Sequence, residues 1–164
     1  MSGSFSRIAA GILAATLLTA GGAPGADSPR NALIGTWQCD TARSTFTGAM
    51  PYRSARSTFS EVDGATHVVV DIVEANGVAL HFEYRDPEDG EFVPVHGNPF
   101  YDKESTVWVD DRTARRTERR GDKDTGVTTM TVAADGKSYV TTARRTLPNG
   151  RVYTSEIHWK RVEP

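Results

Sequence analysis

The sequence predicts an all-β protein, an antiparallel up-and-down barrel of eight to ten strands. Three observations predict it. Asp63-Gly64, Asn76-Gly77, Asp89-Gly90, Asp135-Gly136 and Asn149-Gly150 are hairpin-turn dipeptides, suited to type I′ turns whose central residues both take positive φ. Short stretches rich in Val, Thr, Tyr, Phe and Trp lie between them, and these residues fit a pleated surface. No segment sustains a helical period. Nine or ten antiparallel strands curl rather than lie flat, and closure removes their exposed edges. A two-sheet sandwich is the structural alternative.

Residues 34–39 read as the first strand, followed by a connection over 40–51 rich in Ser, Ala, Arg, Gly and Pro. Strands are then expected over 52–62, 66–74, 78–85, 91–95, 105–109, 112–120, 126–134, 137–146 and 151–162. His96 to Asp102 is a Gly/Pro loop. Alternate side chains of a strand face opposite ways. Strand 66–74 is apolar almost throughout, which predicts burial on both sides or beneath a loop. Strand 78–85 turns Val78, Leu80, Phe82 and Tyr84 inward, with His81 and Glu83 outward. Strand 151–162 turns Tyr153, Ser155, Ile157, Trp159 and Arg161 inward.

Strand 112–120 is the exception, because neither face is apolar. The face of Thr113, Arg115, Thr117 and Arg119 suits solvent, which leaves Ala114, Arg116 and Glu118 toward the lumen. A charge there needs a partner: Glu118, another acid or a bound anion. The lumen is then apolar on one wall and cationic on another, and suits an amphipathic ligand with a carboxylate or phenolate head. With equal weight, the strand is an edge whose arginines face water on both sides and block aggregation.

Residues 1–26 have the layout of a secretory signal peptide: Arg7, an apolar run from Ile8 to Ala20, then small residues. The run is short of the ~20 residues of a membrane span, and an uncleaved anchor is the alternative. Gly22 stands where a lipid-modified cysteine would be. The expected product is residues 27–164, one domain in the periplasm or outside the cell, without stable membrane insertion. Cys39 is the single cysteine, so no internal disulfide forms and the fold rests on its core. Loss of Arg7 with the leader takes the net charge from −2 to −3, which argues against bulk attraction to nucleic acid or acidic membranes.

Three local patterns carry a resemblance: Gly35-x-Trp37 followed by Ala42-Arg43-Ser44-Thr45-Phe46; His81-Phe82-Glu83-Tyr84; and the run from Asp89-Gly90 through Pro94-Val95-His96-Gly97-Asn98-Pro99. Together they resemble small secreted bacterial proteins of unassigned function described as lipocalin-like, over about residues 33–162. The resemblance implies a calycin-type barrel in which the first-strand Trp37 closes one end and a basic residue of the last strand, Arg161 or Lys160, packs over it. It implies no reaction.

Other chemistry is thinly represented. His81 and Glu83 stand at i, i+2, as do Glu156 and His158, and either pair has the make-up of a base or half a metal site; exposed surface pairs are the plainer reading. His67 and His96 are scattered, and no metal site or cofactor is expected. Asp122-Lys123-Asp124 begins like a calcium loop but fails at Gly126 and Ala133, so a hairpin turn is expected there. No serine lies in a Gly-x-Ser-x-Gly context. The leading expectation is a barrel that binds a small apolar or amphipathic molecule on Phe82, Tyr84, Tyr139, Tyr153 and Ile157, with Arg116 as polar anchor. The alternatives are a cofactor-free isomerase, cyclase or lyase using Tyr84, Glu118, His81 and Arg116, or a filled envelope protein without ligand. Oligomeric state is open.

Overall fold

The computed structural model describes residues 32–147 and 149–163; the expected signal peptide lies outside them. Ten strands follow one another: β1 Gly35–Thr47, β2 Tyr52–Val62, β3 Ala65–Glu74, β4 Ala79–Asp86, β5 Val93–Pro94, β6 Lys103–Trp108, β7 Thr113–Arg120, β8 Lys123–Val132, β9 Ser138–Thr146 and β10 Val152–Arg161. They form a single antiparallel sheet in the order β4-β3-β2-β1-β10-β9-β8-β7-β6-β5. Chain neighbours are sheet neighbours throughout the up-and-down path, and β10 joins β1. This removes the sandwich alternative. β7 pairs with β6 on one side and β8 on the other, so the arginine-rich strand is not an edge.

The two edges of the sheet, β4 and β5, meet just beyond β5. There Glu83 and His96 exchange backbone hydrogen bonds of 3.0 and 2.9 Å. Gly97 permits that approach. Its φ is +86°, and a Cβ would stand 2.4 Å from the carbonyl oxygen of His81. The barrel is therefore nearly closed, with a seam held by one bridge.

Several boundaries differ from expectation. β1 runs on to Thr47 where a connection was expected over 40–51. Its register against β10 shifts between Asp40 and Thr45. Ser44 makes the shift tolerable: its hydroxyl donates to Asp40 O at 2.8 Å and accepts from the His158 amide at 3.1 Å, replacing ladder bonds that a bulge forfeits. The expected strand 91–95 shrinks to Val93–Pro94, where proline cannot donate. Val78 falls in the turn before β4 and is exposed rather than inward. β3 is not buried on both sides: Thr66, Val68, Val70 and Ile72 face the core while Val69 and Val73 are half-exposed.

The turns also correct the expected geometry. Asp63-Gly64 has positive φ at both residues, 53° and 76°, as type I′ requires. At the other four dipeptides the glycine alone is positive. In each of these the Asn or Asp side chain accepts from the amide two residues on, at 2.9 to 3.0 Å: Asn76 from Val78, Asp89 from Glu91, Asp135 from Lys137 and Asn149 from Arg151. The side chain satisfies the turn, and only glycine need enter the left-handed region.

Candidate functional site

The barrel encloses a cavity of about 300 Å³, at the lower end of ligand pockets. Phe82, Tyr84, Arg116, Tyr139, Tyr153 and Ile157 all line it. One end is plugged. Trp37, with no exposed surface, donates from Nε1 to Leu33 O at 2.8 Å, and its ring meets Tyr139 edge-on at 4.8 Å. The Arg161 guanidinium lies 4.1 Å from the Trp37 ring centroid. It also donates to Ala32 O, Ile34 O and Gly136 O at 2.6 to 2.8 Å. Lys160 instead points outward to Asp40, 2.6 Å away. The other end is the mouth, where cavity-lining residues come from the turns: Gly48, Met50, Asn98, Leu147 and Arg151.

One wall is polar. Arg145 on β9 grips Glu118 on β7 with a guanidinium fork: Nη2 donates to Oε1 at 2.6 Å and Nε donates to Oε2. Thr128 donates a further bond to Glu118 at 2.9 Å, and Arg145 Nη1 donates to the Tyr153 hydroxyl. Burial alone would raise the Glu118 pKa, but the charge and hydrogen bonds of Arg145, then Arg116, outweigh it and hold the carboxyl below its ordinary value. Arg116 stands beside this pair. Its Nε lies 3.4 Å from Glu118 without a hydrogen bond, and Nη1 donates to the Tyr84 hydroxyl at 2.7 Å.

Three buried polar atoms on the cavity wall have no hydrogen-bond partner among the described residues: Arg116 Nε, the Tyr101 hydroxyl and Ser155 Oγ. Burial raises the pKa of Tyr84 and of Tyr101, so both phenols keep their protons. The head of this wall therefore presents donors: the Arg116 N–H groups, the Tyr101 O–H and the Tyr84 O–H, whose oxygen already accepts from Arg116.

Behind the wall lie two carboxyl groups, Asp86 at the end of β4 and Glu104 on β6, both fully buried. Burial pushes Glu104 up to about 9; Arg116 opposes that rise and the adjacent Asp86 adds to it. Asp86 Oδ1 accepts from the Glu88 amide at 2.6 Å, and Glu104 Oε2 accepts from Thr106 at 3.1 Å. At neutral pH Glu104 keeps its proton, because burial disfavours its charged form more than Arg116 favours it.

The structure brings Tyr84, Arg116 and Glu118 together and leaves His81 out. His81 stands on the outer face, 2.7 Å from Asp71, which raises its pKa. Glu83, also outside, pairs with His67 at 3.1 Å, and His158 with Glu156 at 3.0 Å. Among the described residues no three His, Cys, Asp or Glu cluster as a metal site. Asp124 accepts from Arg119 at 2.6 Å. Cys39 is buried, and desolvation raises its thiol pKa, which keeps it unreactive.

Sequence reasoning missed Arg145, Glu104, Asp86 and Tyr101. Arg145 shares the phase of Tyr139, so strand alternation alone carried the signal. Asp86 continues the inward series of Phe82 and Tyr84. Glu104 precedes the strand expected over 105–109. Tyr101 comes from the Gly/Pro loop, where no period operates.

No protein-family model matches this chain, and no curated protein matches it. Among solved structures, it is similar to zebrafish ileal bile acid-binding protein complexed with cholic acid, at 11% identity and TM-score 0.47, covering 80% of this chain and 99% of that one. It is also similar to the siderocalin Ex-FABP, described as having dual ligand specificities, at 12% identity and TM-score 0.41, covering 81% of this chain and 78% of that one.

Proposed function

We propose that the barrel binds a small amphipathic anion, outside the cytoplasm as the leader suggests. The apolar body lies against Phe82, Tyr139 and Ile157, and a carboxylate or phenolate head lies on Arg116 with Tyr84 and Tyr101. One observation carries this reading. Arg116 is 9% exposed on the wall of a largely apolar cavity with no hydrogen bond at Nε, while Glu118, its nearest acid at 3.4 Å, is already forked by Arg145. A buried guanidinium needs a counter-charge with fork geometry, and a ligand oxyanion supplies it. Donors dominate the wall, so a cationic head is disfavoured. Turnover would need a base beside that head; Glu118 is bound at both oxygens and Glu104 holds a proton, so the residues support binding rather than reaction.

A medium-chain fatty acid and the alcohol of the same length test this by displacement of a fluorescent probe. The acid should bind at least about tenfold tighter, the worth of one charge-assisted hydrogen bond. Arg116→Gln should abolish that preference, and Tyr101→Phe, which removes one hydroxyl and keeps the ring, should reduce it. Equal affinity for acid and alcohol, or no binding of either, defeats the reading.

A further inference from the structure

We propose that the mouth rim docks this protein on an anionic lipid surface. Three turns form one continuous rim. The Ala75 amide donates to Pro51 O at 2.9 Å, Arg53 donates to Ala75 O at 3.4 Å, and Arg151 donates to Gly48 O at 3.4 Å. On that rim stand Met50, Val78 and Val152, exposed by 43%, 48% and 44%. Met50 also lines the cavity mouth, whereas Val78 and Val152 do not; single exposed apolar residues are ordinary, but three gathered on one rim form a patch.

The charges nearest those tips are basic. On these three turns and their flanks Arg53, Arg144 and Arg151 are exposed, against the half-buried Glu74; across the mouth, exposed Arg120 and Lys123 stand with exposed Asp102, Asp122 and Asp124. The opposite end is the reverse: its turns carry exposed Asp63, Asp89, Glu91, Asp110, Asp111 and Asp135 against exposed Arg112 and Lys137. The net charge of −2 thus conceals a polarity along the barrel axis, basic on the apolar-tipped side of the mouth and acidic at the plug. Val109 is still more exposed, at 64%, but it adjoins Asp110 and Asp111, which a phosphate surface repels. Apolar tips flanked by exposed arginines match a headgroup layer, with methyl groups entering the acyl boundary and guanidiniums resting at phosphate depth.

The tips are separate side chains on separate turns rather than a flat patch. A fluid surface accommodates that relief more readily than a protein face, which must be complementary to it. The 75–78 and 147–151 turns close backbone bonds within their own hairpins, and the 48–51 turn is tied to both of them, so shallow entry need break none of these bonds. This inference does not depend on the ligand proposed above, although the cavity opens through the same face.

The test uses the full chain with an environment-sensitive fluorophore on Met50→Cys or on Val109→Cys; Cys39 is buried. Vesicles are phosphatidylcholine with or without phosphatidylglycerol. The label at position 50 should shift to the blue on anionic vesicles, weaken with added salt and stay silent on neutral ones. The label at 109 should not respond. Arg53→Glu with Arg151→Glu should weaken the response by about tenfold or more. Local labels separate rim docking from any insertion by the leader. A silent label at 50, equal response at 109, or equal response on neutral lipid overturns the proposal. So does a blue shift at 50 that needs no vesicles and grows with protein concentration, which would assign the rim to a second copy of the chain.

Discussion

Arg116 was legible from alternation alone: a strand with charge on both faces must turn one charge inward once the barrel closes. What alternation does not give is the distribution of protons among the buried acids, because that depends on groups from three other strands and a loop. Glu104 is the clearest case. Its pKa of about 9 in the folded state lies above its ordinary 4.5, so the folded protein holds a proton that the unfolded chain releases. The stability it contributes is complete below about pH 4.5, declines as pH rises, and is gone above about pH 9. One proton gives a slope of at most about 1.4 kcal/mol per pH unit. Urea unfolding across that range should show the decline, and Glu104→Gln should flatten it. Parallel curves for the two proteins would place the buried proton elsewhere. Tyr101 illustrates a different limit, since its contribution comes from a loop whose path is set by the seam.

At the level of elements, most strands sit where the turn dipeptides put them, and the departures have local causes. β1 continues past its expected end because Ser44 substitutes for lost ladder bonds. β5 is short because Pro94 lacks a donor and the chain must reach Gly97 in a left-handed conformation. That glycine makes a sharp comparison. Gly77→Ala, at φ +90° with open space around its Cβ, should cost about 1–2 kcal/mol, the strain of left-handed backbone. Gly97→Ala adds a collision with backbone and should cost more than that, with faster amide exchange at Glu83 and His96 than anywhere else in the sheet. Equal costs at the two positions would show that the seam is not tightly held.

For the molecule as a whole, the barrel class and its eight to ten strands were readable from turn spacing, whereas the choice against a sandwich rested on pairing between the ends of the chain, which no local pattern records. The axial charge polarity was also invisible in the net charge, and emerges only when turns are sorted by end. If the cavity is a binding site, occupancy must stabilise the entire barrel, because its lining spans most of the strands. At a free ligand concentration of about a hundred times Kd, the gain is about 2.7 kcal/mol. Calorimetry should show the melting temperature rising by several degrees with a bound fatty acid, and Arg116→Gln should suppress the rise. The strand order has one further consequence. β1 has β2 on one flank and β10 on the other, so the first of the described strands waits for the last of them. Until Trp159 and Arg161 leave the ribosome, the opening meander has an unfilled edge and Trp37 lacks its cover. Completion thus waits for β10, slow in the manner of distant pairings, and the barrel cannot close before that strand exists.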